Sequence, residues 1–250
     1  MLRALLLASA LLPAFTPAAT AQVNIWRLNP VNVNLQDRPG DTNFLVCPPG
    51  EPPSRLLSMD GTGTYGSASA ISYAAVHDGL ITYNQGGRVE YEILYGDDPI
   101  PGSTQNGLTT NDLTWEGFRY TFIGVTPYIP PTETELAAQA AAVQGDWTVP
   151  MDGLNVDVTP GTELSVYCPP NIGFPDRGAA GTDLYSGESN VCAAAIHRGL
   201  FRIFEGGLVS LIALGPQPQF FASHRNRQHS FNGGPYPSSF VFILPDEESP

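Results

Sequence analysis

The chain repeats itself. An offset of 120 lays "ISYAAVHDGL", residues 71–80, on "VCAAAIHRGL", residues 191–200, and with them Gly61-Thr62 on Gly181-Thr182, Tyr65 on Tyr185, Ser69 on Ser189 and Gly86-Gly87 on Gly206-Gly207. The same offset carries Val89 onto Val209, Ser103 onto Ser223, Asn106 onto Asn226 and Tyr120 onto Phe240. Upstream the offset becomes 121: Trp26 falls on Trp147, Pro39-Gly40 on Pro160-Gly161 and Cys47-Pro48-Pro49 on Cys168-Pro169-Pro170. Self-similarity over this length requires a fold that can be built twice, and each copy is domain-sized. The copies occupy residues 22–126 and 145–246. Between them, residues 127–144 begin Pro-rich and then offer Thr132-x-x-Glu135 as a capping box before an alanine-rich run, which predicts a linker with a short helix.

Inside each copy the quoted segment predicts a short helix, with Ser69 or Ser189 as its N-cap and Gly79 or Gly199 as the left-handed residue that stops it. So short a helix cannot hold itself in water, so it must be packed on, and Ala74, Ala75, Ala194 and Ala195 let other backbone approach it closely. Alternation predicts strands. Val89, Tyr91 and Ile93 face one way and Arg88, Glu90 and Glu92 the other, with Val209, Leu211 and Ala213 as the second copy of the inward set. Near the copy ends, Phe118, Tyr120 and Phe122 alternate with polar residues, whereas "FVFIL" in the second copy is apolar on both faces. That predicts a strand covered on both sides, where the modules meet. The class is α+β, strand-rich, with one principal helix per module.

Residues 1–21 read as a secretory signal peptide: Arg3, an apolar run to Leu12 and a small-residue end, with cleavage near Ala21. The apolar run is about half of the ~20 residues that a spanning helix needs, so no integral membrane segment is expected in the mature chain. A secreted or periplasmic location follows. Residues 247–250 are an acidic tail. The chain has 24 acidic side chains against 11 arginines and no lysine, a formal net charge of −13, which disfavours nucleic acid as a partner. Three cysteines in an exported chain permit one disulfide and leave one over.

Taken together, Cys-Pro, Gly-Thr-x-x-Tyr, Ser-x-Val-Cys-x-Ala-Ala-Ile-His-x-Gly, Gly-Gly-x-Val and Ser-x-x-Asn resemble the LCCL domain, and in two copies a tandem LCCL protein. The second copy matches best, with "GTDLYSGESNVCAAAIHRGL", "EGGLV" and "SHRN"; the first supplies "GTGTYGSASAISYAAVHDGL", "QGGRV" and "STQNG". The resemblance implies two modules, each a central short helix wrapped by antiparallel β-sheets. It also implies an extracytoplasmic setting and a non-catalytic role in ligand binding or assembly, polysaccharide and lipopolysaccharide being ligands suggested for such domains. It implies two bridges from four cysteines, but the second copy has only Cys168 and Cys192, and the first only Cys47, with Ser72 where a partner would stand. A Cys168–Cys192 bond would tie the helix to the Cys-Pro-Pro segment, a constraint worth about 3 kcal/mol in the chain-entropy model. Cys47 is then expected to be a buried apolar thiol.

His77 and His197 are the natural candidates for a general base, but they fall in the last turn of a mostly buried helix, where a structural histidine bonded to backbone is expected. No Gly-x-Ser-x-Gly elbow, His-Glu-x-x-His helix or phosphate-binding glycine loop is present in the sequence, so no catalytic residue is assigned. His224 and His229 lack a cysteine or carboxylate set beside them, so no metal and no cofactor is expected. Arg225 and Arg227, with His224, concentrate cations in "SHRNRQH", suited to a phosphate or carboxylate on a glycan or lipid head, the alternative being a solvated loop with local ion pairs. Trp115 is placed to stack on a sugar or to pack on its own module. The expected partner is a glycan, a lipopolysaccharide or an envelope protein. The competing readings are a hydrolase of envelope polymers with a site between the modules, and a structural spacer.

Overall fold

The computed structural model describes residues 24–33, 38–50, 58–172 and 178–244, so the signal segment expected at 1–21 and the acidic tail at 247–250 lie outside the described residues. In the first module, a 3-10 turn (Ile25–Arg27) is followed by β1 (Thr42–Cys47), β2 (Gly61–Thr62), β3 (Thr64–Gly66), α1 (Ile71–His77), β4 (Gly87–Gly96), β5 (Thr104–Gln105), β6 (Leu108–Thr109) and β7 (Gly117–Thr126). The linker holds α2 (Glu133–Ala141) and β8 (Val143–Gln144). The second module then runs β9 (Glu163–Cys168), β10 (Ala179–Thr182), β11 (Leu184–Ser186), α3 (Val191–Arg198), β12 (Gly207–Leu214), β13 (His224–Arg225), β14 (Gln228–Phe231) and β15 (Ser239–Ile243).

The doubling holds at the level of register. The first sheet has the antiparallel order β1-β4-β7-β3-β2, and the second repeats it as β9-β12-β15-β11-β10. Leu45 pairs with Val89 as Val166 pairs with Val209, and Tyr65 with Tyr120 as Tyr185 with Phe240. The second sheet is larger than its counterpart. β14 and β8 join it through short parallel pairings with β10 and β9, so the end of the expected linker is an edge strand of the second module. The helix α2 has the capping box its sequence announces, with Thr132 Oγ1 accepting from the Glu135 N–H at 3.2 Å and Glu135 Oε2 accepting from the Thr132 N–H at 2.7 Å.

Every residue of α1 is buried, as are the first seven of α3. A helix buried all round gains its stability from its surroundings, and each large side chain buried around it contributes about 1.5–3 kcal/mol. Gly79 (φ 73°) and Gly199 (φ 86°) take the left-handed conformation, and the Leu200 N–H closes back on the Ala195 carbonyl at 3.0 Å. The N-termini differ from expectation. The helices begin one residue late for a serine cap: Ser69 Oγ accepts from the N–H of Asp60, just before β2, at 3.0 Å, and Ser189 Oγ from the N–H of Ala180, in β10, at 2.8 Å. Asn190 caps α3, accepting from Ala193 N–H at 2.9 Å, while the Ile71 N–H of α1 is met by the Leu28 carbonyl at 2.9 Å.

Cys168 and Cys192 form a disulfide across a separation of 24 residues, tying β9 to α3. Cys47 is fully buried and free, with its sulfur against the Ser72 hydroxyl, and burial pushes its thiol up to about 12. The Gly-Gly turn packs beneath the Cys-Pro-Pro segment. A Cβ on Gly86 (φ 62°) or Gly206 (φ 65°) would collide with the carbonyl oxygen of Cys47 or Cys168.

The strand β15 is not covered on both faces. Phe240 and Phe242 enter the core, but Ile243 is 39% exposed, so the apolar outer face reflects β-propensity and not a module contact. The modules meet elsewhere, through the turn before β12. Phe204 is buried in the first module's core cluster, Arg202 Nη1 donates to the Phe44 carbonyl at 3.2 Å, and Arg227 pairs with Asp41 at 2.8 Å.

Candidate functional site

Two places concentrate polar groups: a buried histidine network, present twice, and the cleft between the modules. In the second module the Tyr185 hydroxyl lies 2.8 Å from His197 Nδ1, and His197 Nε2 lies 3.3 Å from the Ser223 carbonyl oxygen and 3.1 Å from its Oγ. Asn226, in a left-handed turn, donates its amide to the His197 carbonyl at 3.0 Å. In the first module Tyr65, His77, Ser103 and Asn106 repeat these contacts at 2.7, 3.3, 3.2 and 2.9 Å, and Tyr65 also bonds Asp78. A carbonyl oxygen only accepts, so the bonding pattern assigns the His197 proton to Nε2 and the Tyr185 hydroxyl as donor to Nδ1. Burial holds the His197 imidazole below its ordinary value.

The arginine loop is satisfied internally. Arg225 grips both carboxylate oxygens of Asp183 at 2.8 and 3.0 Å, and Arg198 Nε reaches the same carboxylate at 3.3 Å. His224 and His229 are cross-strand neighbours with ring centroids 4.0 Å apart, where the first module has a Thr104–Thr109 hydroxyl pair. Among the described residues no group of three or more His, Cys, Asp or Glu could hold a metal ion. Trp115 is on the first module, 40% exposed, lying over Gly66 and Gly117. Of the four residues expected to bind ligand, Arg225, Arg227, His224 and Trp115, only Arg227 reaches the cleft.

That cleft has a volume of about 590 Å³ and walls from both modules, with Val33, Asn43 and Phe44 on one side and Leu200, Phe201, Arg202 and Glu205 on the other. Glu205 Oε2 accepts the Arg202 N–H at 3.3 Å, its Oε1 is buried with no hydrogen-bond partner, and burial pushes the carboxyl up. The Asn43 amide nitrogen is likewise buried without an acceptor. Sequence reasoning missed Arg202 and Glu205. The signal was a departure from the repeat: Arg202, Phe204 and Glu205 stand where the first copy has Thr82, Asn84 and Gln85.

Comparison with known proteins agrees with the doubled architecture. The mouse (Mus musculus) protein "Cysteine-rich secretory protein LCCL domain-containing 1" is 28% identical over 199 residues, which cover 78% of this chain and 36% of the relative. The match thus spans about a third of that longer protein. No helix among the described residues is long and apolar enough to cross a membrane. The LCCL domain profile matches residues 20–118 and again 142–240, each match holding one buried helix and its Tyr-His-Ser-Asn network, so the chain belongs to the LCCL domain family with two domains in tandem.

Proposed function

We propose that this chain is an exported, non-catalytic binding protein of the extracellular space or periplasm. It takes an envelope or extracellular ligand: a glycan, a lipopolysaccharide or a protein. The observation that carries this reading is the commitment of both histidine rings. Each is enclosed by a tyrosine hydroxyl on one nitrogen and a serine on the other, and the same four residue types do this in both modules. Such duplication is expected of a folding device, because a catalytic site seldom needs two identical buried copies. The export assignment rests on the expected signal segment, the disulfide and the family.

A hydrolase reading draws on one contact, the 3.1 Å approach of Ser223 Oγ to His197 Nε2, which has the spacing of a nucleophile and its base. The proton assigned to Nε2 leaves no lone pair there to accept the serine proton, and neither histidine lines the cleft between the modules. Two measurements separate the readings. Glycan and lipid arrays probed with the mature protein should return a ligand. His77→Ala and His197→Ala should lower stability, whereas loss of a hydrolytic activity at unchanged stability would establish the enzyme. A spacer would bind nothing on the arrays.

A further inference from the structure

We propose that the cleft between the modules holds a single-chain amphiphile, with its alkyl chain against the apolar walls and an oxyacid head, phosphate or carboxylate, at Arg202. This inference rests on the reading of the chain as a binding protein and names a site and a ligand class for it. The cleft's volume of about 590 Å³ lies within the ~300–1,000 Å³ typical of small-molecule sites. Val33, Leu200, Phe201 and Ile203 make its walls largely apolar.

The head is chosen by charge and by unspent bonds. Arg202 donates one N–H to the Phe44 carbonyl, and no carboxylate among the described residues lies within ion-pair reach of its guanidinium. Guanidinium presents five donors in a planar fork, which suits two oxygens of one oxyacid. Arg227 stands on the same lining, but its charge is met by Asp41 at 2.8 Å, so Arg202 is the cation that the lining turns to a ligand head. The buried Asn43 amide nitrogen lacks an acceptor, and Glu205 Oε1 lacks a donor. An anionic oxygen of either head supplies the acceptor that Asn43 needs, and a singly ionised phosphate monoester, which keeps a hydroxyl, also supplies the donor for Glu205.

The aromatic rings argue against a sugar. Stacking needs an open ring face, but the guanidinium groups of Arg88 and Arg202 already cover Phe44 at 3.8 and 4.2 Å from its centroid. Phe204 is buried, and Phe201 presses on Gly207, where a Cβ would sit 2.7 Å from its ring. The aliphatic walls remain, and they select a chain.

Calorimetric titration of the mature protein tests this with tetradecyl phosphate and sodium tetradecanoate, each below its micellar concentration, against tetradecyl maltoside and inorganic phosphate. One site per chain is expected for the alkyl oxyacids, at least about tenfold weaker binding for the maltoside, and no binding of inorganic phosphate; the stronger of the two oxyacids identifies the head. Arg202→Met should weaken binding about tenfold or more, the effect expected of losing a charge-assisted bond. Because Arg202 also bridges the modules, Val31→Trp, at the 46%-exposed rim, provides a second variant that should block entry without touching the core. Equal affinity for the maltoside, or unchanged alkyl-oxyacid affinity in Val31→Trp, would overturn the proposal. Failure of all alkyl oxyacids alongside a glycan hit on the arrays refutes this site and leaves the binding function standing; silence in both refutes both.

Discussion

Cys47 and Ser72 touch in the core of the first module at the position where Cys168 and Cys192 are bonded in the second. The two side chains therefore face each other in both copies, and only the second copy joins them covalently. Ser72→Cys should close a second bridge across a separation of 25 residues and raise stability by about 3 kcal/mol under oxidising conditions. Denaturation with and without reductant measures the gain. A peptide map of the unreduced protein should show Cys47 joined to position 72.

Tyr185 anchors His197, and removing its hydroxyl leaves a buried ring nitrogen without its donor. Tyr185→Phe should cost about 1–3 kcal/mol, read from urea unfolding, and Tyr65→Phe should cost a similar amount in the first module. Ligand affinity should not change with either substitution, since neither residue lines the cleft.

The Gly206 turn allows no side chain. Its φ of 65° is the left-handed region, and a Cβ would also lie 2.7 Å from the Pro170 nitrogen. Gly206→Ala should therefore destabilise by more than about 2 kcal/mol, combining backbone strain with the forced displacement of the Cys-Pro-Pro segment. Thermal unfolding compared with an alanine substitution at Gly161, which also has positive φ but open space around it, separates the two contributions.

The raised carboxyl of Glu205 makes a signed prediction. Its folded value lies above the unfolded one because burial disfavours the charge, so the folded state binds more protons and this group costs stability as pH rises through that window. Glu205→Gln should be more stable than the parent at neutral pH, and the difference should shrink on acidification. The buried His197 works in the opposite direction. Its folded value is lowered by burial, so its share of stability is complete above the ordinary value of 6.5 and is lost as pH falls below it. Melting temperatures of the parent and Glu205→Gln across pH 4–8 test both.

Much of the architecture was legible from residues alone, and the reason is local. The alanine-lined helix, the left-handed glycines after it and the alternation of Val89, Tyr91 and Ile93 are each encoded within a few residues, and the repeat offered every signal twice. The serine caps failed because local capping chemistry competed with tertiary partners. Ser69 and Ser189 sit next to the helix start but spend their hydroxyls on backbone nine residues upstream, just before β2 and in β10. The expectation for "FVFIL" failed because an apolar strand face can answer to sheet formation as well as to a buried contact.

That one fold was built twice, and that its short helix had to lie inside, follows from residues alone, because a helix of seven or eight residues has no stability of its own to hold it at a surface. The sequence also placed the two cysteines whose bond closes the second copy. Where the halves dock is visible only in the folded chain. Arg202 meets Phe44 across 158 residues of chain, and Arg227 meets Asp41 across 186. No local periodicity specifies such a pairing, because it depends on how two finished surfaces fit, and the cleft that carries the proposed ligand exists only once they have.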